Sequence, residues 1–222
     1  MHPYPLQLNL DGRLCVVVGG GRVGLRKVQG LLAAGARVRL VEPRDQAPAC
    51  ALAGIERVSR CFEPADLSGA LLVFAASDDS EVNRRVAESA RQRGLLCSRA
   101  DEPSGGDFSL PAQLRRGALL FTVSSGGGHP GFAAALRDRL AEDFDDSWVF
   151  IADLARALRR RRLTPDRAQK YNPSVIRILL DARLPVMVAE RDSDGIERLI
   201  NETLGSELSL AELELSFPME SS

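Results

Sequence analysis

Apolar residues in the first hundred positions fall into short runs, each followed by a polar or glycine-rich break. The run CVVVG at residues 15–19, β-branched and closed by glycine, predicts a buried parallel strand. Over residues 23–34 the period changes. Val23, Val28, Leu31 and Leu32 can share one face and Gly35 follows as a C-terminal cap, which predicts a helix. Residues 37–41 (RVRLV) read as a second strand. A looser segment containing Pro43, Pro48 and Pro64 is expected to hold one short helix and one strand. Residues 71–76 (LLVFAA) predict another buried strand, residues 77–94 a helix capped by Ser77 or Asp78, and residues 95–100 (LLCSRA) a further strand. Strand and helix alternate, so the expected fold class is α/β, a Rossmann-like parallel sheet over residues 1–112.

The pattern changes after Asp101. DEPSGGDFSLP reads as a loop, and residues 108–110 and 118–124 suit strands separated by the polar turn QLRRG. SSGGGHPG then leads into FAAALRDRLAEDF, an amphipathic helix. From Trp148 three helical stretches follow, with breaks expected at residues 164–165 and 172–173. Residues 113–147 therefore form a small α+β segment and residues 148–222 a helical C-terminal domain.

Composition narrows the function. The 222 residues carry a net charge of −1, which gives no support to a nucleic-acid or membrane-surface role. Residues 81–140 hold 9 basic and 6 acidic side chains, whereas residues 141–222 hold 11 and 16. The N-terminus lacks the basic start and apolar core of a secretory signal, and no uncharged run approaches the roughly 20 residues that span a bilayer. Cys15, Cys50, Cys61 and Cys97 show no metal-ligand spacing, so reduced thiols in a cytoplasmic protein with no permanent metal are expected.

The glycines bring the chemistry. Gly19-x-Gly21-x-x-Gly24 lies between a predicted strand and helix, as in a dinucleotide fingerprint. The first glycine permits the tight turn, the second lets backbone approach a pyrophosphate, and the third lets helix and strand pack closely. Amides near Arg22 and Val23 then face phosphate at the positive end of the helix. The second strand ends in Glu42, 18 residues after Gly24, where a carboxylate accepts ribose hydroxyls and disfavours a 2′-phosphate. NAD is therefore favoured, although Arg44, just past Pro43, could pair with that phosphate. Pro43, Arg44 and Ser77, at neighbouring strand ends, complete the candidate cofactor-binding set, with Asp78 and Asn83 in the same AASDD-x-x-x-N motif.

VVVGGGRVGLRK, FAASDDSEVNRRV, DEPSGGDFSLP and VSSGGGHP, in this order, resemble the N-terminal portion of siroheme synthase, whose free-standing relatives are precorrin-2 dehydrogenases, some also sirohydrochlorin ferrochelatases. The likeness covers most of residues 1–145. It implies NAD-dependent oxidation of precorrin-2 to sirohydrochlorin, a homodimer built through residues 113–147 and, in some relatives, insertion of Fe2+ as a second substrate. A chain ending at Ser222 is expected to be too short for the methyltransferase domain of the larger fused enzymes. Asp101, after a predicted strand tip, matches the family's functional aspartate and is the candidate catalytic residue. Ser98 and Asp107 depart from the family pattern, where asparagine and serine are usual. Ser125, Gly126 and His129 are candidate substrate contacts in the SSGGGHP loop. Arg115 and Arg116, with Arg99, are candidates for a basic rim that would meet the substrate's carboxylates. The competing class is a non-catalytic NAD-sensing regulatory module, which leaves the Asp101 and SSGGG loops without a purpose.

Overall fold

The computed structural model describes residues 3–161, 174–204 and 208–217. The breaks expected at 164–165 and 172–173, together with His2 and Arg162, lie outside the described residues. The chain divides into two compact units, Met1–Leu110 and Pro111–Ser222.

In the first unit, five parallel strands form one sheet in the order β3-β2-β1-β4-β5: β1 (Leu14–Val18), β2 (Arg37–Val41), β3 (Ile55–Val58), β4 (Leu72–Ala75) and β5 (Leu96–Arg99). The register pairs Val18 with Val41 on one side of β1 and with Ala75 on the other. Both faces of the central strands are covered, which is why Cys15–Val18 and Leu72–Ala75 read as unbroken apolar runs. One face packs against α1 (Arg22–Ala33) through Val17, Val28, Leu31, Leu40 and Phe74. The other packs against α2 (Ser80–Gln92) through Val16, Val73, Val86 and Ala90. Beyond the expected short helix, found as a 3₁₀ turn at Pro48–Ala51, a second 3₁₀ turn at Pro64–Leu67 precedes β4. There Asp66 reaches back to the Glu63 amide (2.8 Å) and is gripped by Arg60 at 2.7 and 2.9 Å. The α2 cap differs from expectation: Asp79, one residue later than foreseen, accepts from the Glu81 and Val82 amides.

The second unit opens with an antiparallel hairpin, β6 (Ala112–Arg116) and β7 (Leu119–Val123), against which α3 (Pro130–Asp143) packs. The expected strand at residues 108–110 is absent, and QLRR, expected as a turn, lies in β6. Phe108 instead turns its ring edge-on to Phe74, 5.4 Å between centroids. β6 is half-exposed, with Leu114 alone fully buried, so its polar alternation disguised a strand as a turn. Four helices follow, α4 (Ser147–Arg161), α5 (Ser174–Asp181), α6 (Leu184–Ala189) and α7 (Ser193–Leu204), around a core that includes Phe150, Leu154, Leu179, Ile196 and Ile200.

Candidate functional site

The sheet order reverses at β1: β2 lies on one side and β4 on the other, which opens a crevice at the carboxyl ends of β1 and β4. The glycine loop fills the base of that crevice, and each fingerprint glycine has a distinct steric reason. Gly19 has φ +104°, and a Cβ there would run into the backbone of Ala76 and Ser77 at the end of β4. On Gly24 a Cβ would collide with the Gly19 carbonyl oxygen, so α1 can lie this close to the turn only without one. Gly21 is the opposite case, with nothing within 4 Å of a Cβ position. It is the N-cap of α1 and makes no side-chain cap bond. The first-turn amides of α1, at Arg22 and Val23, follow directly and have no intrahelical acceptors. Arg22 itself is exposed and Val23 half-buried. This cradle fits a pyrophosphate: donors at a positive helix end with no side chain in the way.

Glu42 sits at the tip of β2 but turns inward. It is 1% exposed, and its carboxylate accepts from the Gly20 amide (2.6 Å), the Arg44 amide (2.9 Å) and Arg44 Nε (2.9 Å). Burial raises its pKa, but the Arg44 and amide donors outweigh this and hold the group below the usual carboxylate range. A ribose reaching this acid must share it with Arg44. The Arg44 guanidinium also bridges to Asp78 at 3.0 Å, linking the ends of β2 and β4. Pro43 is exposed beside it. Ser77 follows β4, and buried Asn83 pins it by accepting from its amide and donating to its carbonyl, each at 3.0 Å. Asn83 is thus a backbone clamp that holds the turn next to the glycine loop.

Asp101 lies just beyond β5, on the same carboxyl edge of the sheet as the glycine loop. Arg99 holds it through a two-point fork, Nη2 to Oδ2 at 2.8 Å and Nε to Oδ1 at 3.3 Å, while Nη1 reaches Glu102 at 2.7 Å. Arg99, foreseen as a rim charge, is committed to these two acids. Its hydrogen bonds to Asp101 hold that carboxyl below the usual range against a smaller effect of burial. Asp107 closes the loop behind them: its carboxylate accepts from the Cys97 amide at 2.9 Å, and its own amide donates to the Cys97 carbonyl at 2.7 Å. Burial pushes the Cys97 thiol up to about 11, so it stays protonated.

In the second unit, the SSGGGHP loop satisfies itself. Ser124 Oγ accepts from the Gly126 amide, Ser125 Oγ from the His129 amide, and His129 Nδ1 from the Phe132 amide at 2.9 Å. His129 is therefore the N-cap of α3, with Nε2 left as its donor side. Gly126 adopts φ +64° with open space around it. Arg116, expected at a substrate rim, instead donates to the carbonyls of Phe144 (3.0 Å) and Ala141 (3.4 Å) at the end of α3. A cation there offsets the negative helix terminus. Arg115 is exposed on the opposite face of β6. Arg159 and Arg160 are also exposed. Among the described residues no group of His, Cys, Asp or Glu could hold a metal ion, and no helix is long and apolar enough to cross a membrane.

Comparison with known proteins agrees with this geometry. Residues 6–112 match a family model described as NAD(P)-binding, which ends close to the unit boundary. Siroheme synthase 2 of Aeromonas hydrophila is 35% identical over 212 residues, which is 92% of this chain and 44% of that protein. The siroheme synthase of Methylobacillus flagellatus is 38% identical over 168 residues, 72% of this chain and 36% of that protein. Over most of its length the chain is thus similar to part of these siroheme synthases. It spans less than half the length of these siroheme synthases. Among solved structures, the one of SirC, a precorrin-2 dehydrogenase, superposes with a TM-score of 0.63 at 23% identity, covering 85% of this chain and all of that one, which establishes the shared fold.

Proposed function

We propose that this chain catalyses the NAD-dependent oxidation of precorrin-2 to sirohydrochlorin. One observation carries the reading: the open phosphate cradle at Gly21 and the ionised Asp101 lie along the same carboxyl edge of one parallel sheet. The siroheme synthase relatives and the precorrin-2 dehydrogenase fold support it. Gly19, Gly21, Arg22, Val23 and Gly24 would hold the diphosphate, with Glu42, Pro43, Arg44 and Ser77 around the adenosine half. NAD is preferred to NADP because the charge of Arg44 is already compensated by Glu42 and Asp78, so a 2′-phosphate would meet surplus negative charge. Bound NAD supplies the hydride acceptor. Asp101, fixed and ionised at neutral pH, stabilises the positive charge that develops on the macrocycle and receives a proton as conjugation extends. Ser125, Gly126 and His129 are the proposed substrate contacts of the second unit, through the His129 Nε2 donor and the exposed loop.

The protein is further proposed to act as a homodimer through residues 113–147. The hairpin and α3 bury only Leu114 and Ala133 fully, which is a thin core for a two-stranded sheet to stand on. The test of function is product analysis from precorrin-2, NAD and protein, with and without Fe2+. Stoichiometric NADH and the sirohydrochlorin spectrum are expected, and an added iron-chelate band would extend the activity to Fe2+ insertion. Nucleotide binding with neither product would establish the sensing module instead.

A further inference from the structure

Arg99 is an unusual residue for its place. It ends β5 with its side chain only 11% exposed, and its ion pairs are both with acids of the loop that follows, Asp101 and Glu102. The loop after β5 is folded around it. A Cβ on Gly105 would sit 2.9 Å from Arg99 Nη1, and one on Gly106 would sit 3.0 Å from the Arg99 amide, so two successive glycines let the loop close over the guanidinium. The Asp107 and Cys97 backbone bonds then lock that loop to the strand. The chain bends at Ala100 and Asp101, directly after β5, and the guanidinium meets the Asp101 carboxylate edge to edge.

We propose that Arg99 is a positioning residue for the reaction, presenting the Asp101 carboxylate in one fixed orientation through its two-point fork. The inference rests on the assignment of Asp101 to the reacting centre. Other charged or titratable groups at this site are Glu102, which shares the guanidinium, and Asp107 and Cys97 behind it on the strand side. Arg99 is thus the sole cation facing Asp101 among the described ion pairs, and its hydrogen bonds hold that carboxyl below its ordinary range. A lysine would keep the charge and lose the planar fork.

The experiment measures NADH formation by the full chain from precorrin-2 and NAD at neutral pH, together with NAD affinity by calorimetry, for Arg99→Gln, Arg99→Lys, Asp101→Asn and the Arg99→Gln/Asp101→Asn double variant. Asp101→Asn is expected to lower kcat by about a hundredfold or more. Arg99→Gln is expected to lower kcat by about ten- to a hundredfold with NAD affinity unchanged. Arg99→Lys should restore only part of the lost kcat. The double variant should be no slower than Asp101→Asn, since Arg99 acts through that carboxylate. Wild-type kcat in Arg99→Gln, alongside an impaired Asp101→Asn, would overturn the positioning role and leave the Asp101 assignment standing. So would independent, multiplicative losses in the double variant. Wild-type turnover by Asp101→Asn would remove both. Should Arg99→Gln fail to fold, Arg99→Lys decides alone: full kcat in that variant overturns the fork.

Discussion

Gly21 and Gly24 are three positions apart in one motif and should behave in opposite ways when a methyl group is added. On Gly24 it meets the Gly19 carbonyl oxygen, so Gly24→Ala must push α1 off β1 and is expected to cost about 2–4 kcal/mol, visible as a drop in melting temperature without nucleotide. On Gly21 it meets nothing, and φ −66° suits alanine, so the unliganded protein should lose less than about 1 kcal/mol. The same methyl projects into the space proposed for phosphate, and NAD affinity measured by calorimetry should fall at least about tenfold. Unchanged affinity would place the dinucleotide elsewhere. This part of the site was legible in the sequence because each glycine answers a local steric demand. The partner of Asp101 was not legible in the sequence, because the chain bends directly after β5 and the bend brings the carboxylate back to Arg99. Nor could the sequence show Glu42 facing inward, because that depends on the Gly20 amide just past the neighbouring strand β1.

At the level of elements, the strands and helices of the first unit were readable wherever burial was two-sided, since the apolar run then leaves no ambiguity of period. Half-exposed elements were not. β6 presents Gln113 and Arg115 outward and places Arg116 at the end of α3, so its composition looks like a turn while its backbone pairs residue by residue with β7. The α2 boundary moved because Asp79, directly after the two expected caps Ser77 and Asp78, is the residue that reaches the Glu81 and Val82 amides. α3, expected as an amphipathic helix, fully buries Ala133 but leaves Phe132 and Leu136, one turn apart, 61% and 41% exposed. If a second copy covers this helix, Phe132→Glu should convert a particle of twice the 24.1 kDa chain mass into a monomer at micromolar concentration. The measurement is light scattering, and the α4–α7 core, which does not use Phe132, should retain its melting transition. A variant that stays dimeric would move the interface off this face of α3.

For the whole molecule, the distribution of buried charge predicts which half fails first in acid. The buried charged side chains among the described residues are Glu42 and Asp66, both in the first unit. Burial raises each pKa, but Arg44 with two amides overcomes this at Glu42, and Arg60 with the Glu63 amide does so at Asp66. Asp101, held by Arg99, and the exposed Asp78 and Glu81, paired with Arg44 and Arg84, are further lowered carboxylates in the same unit. For a carboxylate whose folded pKa lies below its unfolded value of about 4, the unfolded chain binds more protons in that range. The stabilisation is therefore complete above about pH 5 and is lost as pH falls through the folded values. The second unit's ion pairs among the described residues, such as Arg156–Asp153 and Arg139–Glu142, are exposed and contribute little. Amide hydrogen exchange should accordingly show constant protection in both units from pH 7 to 5. Between about pH 4.5 and 3, β1, β2 and β4 should lose protection before α4 and α7. The reverse order would mean that the ion pairs at the strand tips do not hold the nucleotide unit together, and that its apolar sheet faces alone decide its stability.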